Sequence, residues 1–338
     1  MNAGDKHFIV KAAARLAFTV IYSLAECLSS NSVALAATPG NVLFEQPSLD
    51  GIAGNFFVPP ALHQQPPVGV FALILWQPNP NRADGMLVPT AWAAGSKTGF
   101  YPTKPVEQYQ AGFRDAPGTS TVQADGDTVG AYINSADLPA GSHGYKMMIT
   151  PEFIMSPATQ VHPFAQPGHE LLVTLDLQVP TAVDAHRDGS DTYVNADLVF
   201  LDAERVTKIS YGCNLFFNGH PNRQPGGHIR LDSDTQNMMI NSVVGLQNAW
   251  LTAQPNSTVS QSAPWKGWKT FSFAITEKNF AEALRALQQK QPSASVHPSD
   301  YTFIRFHLNA ELHFNVAAAE LGWSMRHAKI VDAVAAPQ

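Results

Sequence analysis

The sequence predicts an all-β protein: a large antiparallel β-sandwich or jelly roll with long loops and one short amphipathic helix. Three observations carry that expectation. Beyond the N-terminus, helical spacing of apolar residues is almost absent. Short runs that are continuously apolar, or that alternate apolar with polar, recur between Gly, Pro, Asn and Asp clusters. The 338 residues are 45% hydrophobic and 14% charged, well below the roughly 25% charge usual in soluble domains, so a deep core can form.

Taken in order, the chain opens with an export signal. Lys6, Lys11 and Arg15 precede the apolar run LAFTVIYSLAECL, which is too short to span a bilayer comfortably. Ala34 and Ala36 form a small-residue cleavage pattern. Residues 1–36 are therefore read as a signal peptide and 37–338 as the mature, secreted or periplasmic domain. Glu26 before Cys27 argues against a lipid anchor, and removal of the leader leaves Cys213 alone, without a disulfide framework.

Strands are expected at 68–76, 144–149, 170–179, 192–201, 208–217, 268–275, 301–316 and 321–331. The segment 77–143, rich in Pro, Gly, Asn and Asp, reads as extended loops. A sub-boundary is conceivable near 156–168. The single helix is ITEKNFAEALRALQQKQP, with Thr276 as N-cap, Phe280, Leu284 and Leu287 on one face, and Pro292 past its end.

The functional signal lies in YTFIRFHLNAELHFNV. From Ile304 its even positions are apolar, while Arg305, His307, Asn309, Glu311 and His313 share the other face. Same-face neighbours lie about 6.6 Å apart, and His307 and His313 roughly 20 Å, too far to ligate one metal. An antiparallel sheet with one wet face alternates in the same way, and cross-strand ion pairs would explain the charges. Residue type favours a ligand: these side chains position and protonate hydroxylated or anionic groups, and Asn is depleted in strands. Tyr193, Asn195 and Asp197, then Asp176, then Asn214 offer polar partners on other strands. Trp265, in a Pro/Gly-bounded loop, is a sugar-stacking candidate; Trp323 reads as core.

Weaker constellations remain. Asp184, His186, Asp188 and Gly189 fall at Ca²⁺-loop positions, but Asn195 stands where a bidentate Glu belongs. An Asp-Gly turn is the simpler reading, with Ca²⁺ the only cofactor considered. His220 and His228 flank a Pro/Gly-rich loop without a third ligand. The net charge of −6 is unclustered, which excludes a nucleic-acid partner. No nucleophile-elbow, zinc-protease, P-loop or dinucleotide motif is present.

The polar strand resembles, at fold level, those of jelly-roll polysaccharide lyases and related concanavalin-like carbohydrate-binding proteins. Gln160–His162 matches a tripeptide of one lyase family, although that family's R-x-E-L and YFKAG-type strands are absent and Pro163 follows at once. The resemblance implies a polar sheet face that neutralises a uronate and removes its C5 proton. Arg305 and Asn309 would neutralise, His307 or Tyr193 would act as base, and Tyr211 is a lesser acid. In a hydrolase Glu311, oriented by His313, would pair with Asp197 or Asp176. The expectation is an exported protein that binds, or binds and cleaves, a polysaccharide; the alternatives are a non-catalytic lectin-like domain and a surface assembly protein.

Overall fold

A computed structural model describes residues 38–46, 71–78, 87–89, 101–102, 111–114, 121–125, 127–134, 144–154, 160–183, 191–205, 207–219, 227–231, 237–245, 250–314 and 319–334. The segment expected to be an export signal and the Asp184–Asp188 loop, with the Ca²⁺ site weighed for it, lie outside them, as does His220.

Two sheets form a sandwich. Sheet A runs β14 (Thr252–Ala253), β15 (Trp265–Thr276), β9 (His169–Val183), β17 (Glu320–Val334), β7 (Thr128–Asn134), β6 (Thr121–Asp125), β5 (Ala111–Arg114) and β4 (Tyr101–Pro102). Its first strand, β1 (Thr38–Glu45), pairs with the second half of β17. Sheet B runs β12 (His228–Leu231), β13 (Met238–Val243), β11 (Thr207–Gly219), β10 (Asp191–Asp202), β16 (Thr302–Phe314), β8 (Gly144–Ile154), β2 (Phe71–Pro78) and β3 (Leu87–Pro89). Among the described strands the pairings are antiparallel except β11 with β13, and an isolated bridge between Phe216 and Gln261 is also parallel.

Strands from both sides of residues 156–168 stand side by side in each sheet, β7 next to β17 and β8 next to β16. The described chain from Thr38 onward is one unit. Strands β3 to β7 occupy part of the segment expected to be loop. They escape a sequence reading because they are short and lack a long alternating pattern.

The alternation sorts side chains as expected for sheets packed face to face. Val194, Ala196, Leu198 and Phe200 of β10 and Phe306, Leu308, Ala310 and Leu312 of β16 are fully buried against Leu171, Val173, Leu175 and Leu177 of β9. Bulges set the exceptions. Between the Val194 and Asn195 pairings, β11 carries one extra residue, so Phe216 pairs with Val194 and turns inward, its ring 5.9 Å from Trp265. A second bulge, between the Val199 and Phe200 pairings, makes Ile304 the extra residue of β16, half-buried rather than core.

The helix α1 (Glu277–Gln288) forms where expected. Thr276 caps it reciprocally with Asn279, a box worth about 1 kcal/mol. Its buried face places Phe280 within 4.7–5.7 Å of the rings of Phe164, Phe200, Tyr211 and Tyr301, closing one end of the core. Gly40 permits β1 to approach β17: a Cβ there would meet the Asp332 carbonyl oxygen at 2.0 Å.

Candidate functional site

Register assigns each polar candidate a place. On β16 the outward series Arg305, His307, Asn309, Glu311 lies opposite Val199, Asp197, Asn195 and Tyr193 of β10. On its other side His307 stands opposite Glu152 of β8. Across β10, Asn195 faces Asn214 and Asp197 faces Gly212, which in turn pairs with Asn241 of β13, and Asn241 with His228 of β12. One row thus reads His228–Asn241–Gly212–Asp197–His307–Glu152 across six strands.

The centre of this face is buried. Asp197 is 1% exposed, and Asn195, Asn214, Asn309 and Glu311 are between 4% and 6%. His307 Nε2 lies 2.9 Å from Asp197 Oδ2. A carboxylate cannot donate, so Nε2 carries the proton of this bond, and in the neutral ring the lone pair then falls on Nδ1. Nδ1 is buried and has no hydrogen-bond partner, and the same holds for Asp197 Oδ1 and Asn309 Oδ1. Buried polar atoms are rarely left so, because each costs about 1–3 kcal/mol. Three orphans within two adjacent rows of one sheet face are a concentrated expense of stability.

The neighbouring amides are held firmly. Ser260 Oγ donates to Asn214 Oδ1 at 2.6 Å, and Asn214 Nδ2 donates to Asn195 Oδ1 at 2.9 Å and to the Phe216 carbonyl at 3.0 Å. Asn241 Nδ2 lies 3.2 Å from His228 Nε2. These bonds set which end of the Asn195 and Asn241 amides turns toward Gly212.

Several expected roles do not fit this geometry. Asp176 is on β9 of sheet A, so the core separates it from His307; the shared polar face expected for it does not form. It belongs to a different network. Thr270 Oγ1 donates to Asp176 Oδ1 at 2.7 Å, while Arg326 Nε and His327 Nδ1 lie 3.2 and 3.1 Å from Oδ2. Burial pushes this carboxyl up, but the bonds from Thr270, His327 and Arg326 outweigh it and hold it below the usual carboxylate range.

Glu311 and Asp197 are four residues apart in register, about 13 Å along the strands. That exceeds the ~5–9.5 Å that glycosidase carboxylates span, so they are not a hydrolytic pair. Tyr193 is equally remote from His307 and sits beside Glu311. Backbone register puts His313 opposite Asp191 and Tyr145; its side chain is outside the described set. Tyr211 faces the core, where burial pushes its phenol up and its hydroxyl donates to the Trp250 carbonyl, which removes it as an acid.

Trp265 is not an exposed platform. It begins β15, packs against Phe216 and Phe271, and carries Lys269 Nζ over its ring at 4.9 Å. A bulge with Gly267 at φ 84° turns Trp268 outward instead, under the Arg326 guanidinium at 4.3 Å. Trp323 and Cys213 are core residues, 1% and 0% exposed. His162 ties the end of β16 through the Ser299 carbonyl and Thr302 Oγ1.

Sequence reasoning missed Asn241 and Ser260, and it read His228 only as one side of a loop without a third metal ligand. Asn241 alternates between Ile240 and Ser242 in MMINSV, a weak strand signal, but its parallel pairing with β11 leaves no mark in the sequence. Among the described residues no group of three or more His, Cys, Asp or Glu side chains could hold a metal ion.

No protein-family model matches the sequence, and no curated protein does. Solved structures are similar at low identity. A family 12 xyloglucanase from Bacillus licheniformis is similar at 8% identity and a TM-score of 0.37, over 76% of this chain and 99% of its own. The xyloglucanase domain of NopAA, a type three effector from Sinorhizobium fredii, solved with cellobiose, gives 9% and 0.34 over 69% and 92%. A family 11 xylanase from Neocallimastix patriciarum gives 11% and 0.30 over 66% and 90%. At such identities no residue's role carries over from these enzymes.

Proposed function

We propose that this is an exported protein whose outward face of sheet B binds a polysaccharide and that His307, oriented by Asp197, moves the proton in its cleavage. The observation that carries this reading is the buried Asp197–His307 bond with Nδ1 left unpartnered. A carboxylate that fixes the tautomer and ring of a histidine is how an imidazole is prepared as a general base.

Elimination fits the described residues better than two-carboxylate hydrolysis, since Glu311 is too far from Asp197. In that reaction His307 Nδ1, out of solvent in the free protein, is uncovered as the ligand seats and takes the C5 proton of a uronate residue. The C5–H electron pair forms the C4=C5 double bond, the C4–O bond breaks, and the departing oxygen takes up a proton from water, to which the His307 imidazolium later returns its own. Arg305 and Asn309 flank His307 on β16, about 6.6 Å to either side, and would neutralise and hold the uronate carboxylate. The ligand approaches from the β13 side, where Asn241 is half-buried and His228 exposed.

The test is incubation of residues 37–338 with polygalacturonate, alginate, xyloglucan and cellulose, following ultraviolet absorbance of unsaturated products together with new reducing ends. Absorbance rising with wild type and absent with His307→Gln is the expected result. Reducing ends without absorbance would replace elimination by hydrolysis. Silence in both, with retention of a glycan, would make the face a lectin-like binding surface.

A further inference from the structure

We infer that His327 is a pH-sensitive latch on sheet A, closed while its ring is an imidazolium and loosened when the ring gives up a proton. The latch lies on the opposite sheet from His307, so it stands whether or not sheet B binds a glycan.

Strand β17 changes partner at this histidine. Up to Arg326 it pairs with β7, Arg326 lying opposite Thr128. From Lys329 onward it pairs with β1, Lys329 lying opposite Glu45. His327 and Ala328 fill the seam between, and they are the two residues of a bulge against β9. Ladder bonds cannot join two strand ends, and side chains do it instead. Gln46, the residue after β1, donates its backbone N–H to the Ala328 carbonyl at 2.7 Å and accepts the Ala328 N–H at Oε1 at 3.2 Å. Its Nε2 donates to the Asp127 carbonyl at 2.6 Å, in the turn between β6 and β7.

His327 ties this seam to the sheet. Its Nε2 lies 2.5 Å from Asp127 Oδ2 and its Nδ1 3.1 Å from Asp176 Oδ2 on β9. An ionised carboxylate only accepts, so both contacts are hydrogen bonds only when both ring nitrogens carry a proton. A neutral ring sets one lone pair against a carboxylate oxygen. Whichever nitrogen keeps its proton, the bulge is no longer bonded to both β9 and the β6–β7 turn. The backbone holds the ring there at φ 54°, a left-handed conformation uncommon outside glycine. The other charges at the seam are Arg326, whose Nε lies 3.2 Å from the same Asp176 Oδ2, and the Lys329–Glu45 pair at 3.3 Å. Thr270 and Thr128 donate to the remaining oxygens of Asp176 and Asp127. The closed seam thus binds one proton more than the loosened one. Closure is full while the ring is charged and weakens as pH rises through its titration.

Hydrogen exchange of the full chain, read by mass spectrometry at pH 5.5 and pH 9 and corrected for the intrinsic pH dependence of exchange, tests the latch. Protection of residues 38–46 and 127–134 should be about twofold to fivefold lower at pH 9, as suits half-exposed pairs. Protection of residues 171–175 of β9 should not change. His327→Gln, neutral at both pH values, should show the lower protection throughout. Asp127→Asn can donate to a bare ring nitrogen, so its seam should stay closed at both pH values. Wild-type protection that is equal at the two pH values overturns the latch. So does a pH difference that either variant keeps, or a loss that spreads equally over β9.

Discussion

The two outward sheet faces are built from the same sequence pattern and end in opposite physical states. Asp176 in TLDLQ and Asp197 in NADLV both sit on polar positions of central strands. On sheet A, Asp176 is bonded to Thr270, Arg326 and His327, and His327 reaches on to Asp127 Oδ2 at 2.5 Å. That histidine sits in a bulge of β17 at φ 54°, 55% exposed, with both ring nitrogens facing carboxylate oxygens. Arg326 adds a cation–π contact to Trp268. This is a paired, wet sheet surface. On sheet B, Asp197 has one bond, to His307, and unpartnered atoms on Asp197, His307 and Asn309 lie out of solvent. Polar alternation marks both faces, so it does not identify a site; burial without pairing does.

The largest difference should appear on removing His307. His307→Ala leaves the Asp197 carboxyl buried with no partner, and the expected cost is about 3–5 kcal/mol in urea unfolding. A cost comparable to that of sheet-A substitutions would erase the distinction. Asn309→Leu should go the other way. Its Oδ1 gains nothing from the fold, so an apolar replacement should leave stability unchanged or raise it by about 1 kcal/mol, while ligand binding falls. A marked destabilisation would show that Asn309 is structural.

Sheet A should respond weakly. Arg326→Ala is expected to cost about 0.2–1 kcal/mol, as half-exposed pairs do. Asp176 also predicts a pH dependence. Its carboxyl is held below the unfolded value of about 3.9, so the folded state binds fewer protons there. The stabilisation is full above that value and is lost as pH falls through the folded one. Asp176→Asn should lower stability at neutral pH, where the ionised carboxyl's contribution is full, and flatten its fall below about pH 4, measured by urea midpoints.

Much of the fold was legible because its central strands are long and alternate cleanly. The runs expected at 170–179, 192–201, 208–217, 301–316 and 321–331 all lie in or largely within strands, and the helix begins at its expected cap. The short strands β4 to β6, of two to five residues, carry too few positions for a period to show. The site was half legible. The series Arg305, His307, Asn309, Glu311 shares one face as expected, and Asn195, Asp197 and Asn214 do join it. Sheet membership was not legible, because Asp176 and Asp197 have the same local pattern and only long-range pairing separates them. Bulges were hidden too: WKGW gave no sign that Trp265 would turn into the core and Trp268 out, a choice made by the Gly267 conformation.

Hydroxyl-radical footprinting in the presence and absence of the best-bound polysaccharide tests the central claim most directly, because it reads side chains on both faces in one experiment. The account predicts ligand-dependent protection at His307 and Tyr193 on sheet B and no change at Trp268 and His327 on sheet A. Protection confined to Trp268 and His327 would contradict it and move the binding surface to the other side of the molecule.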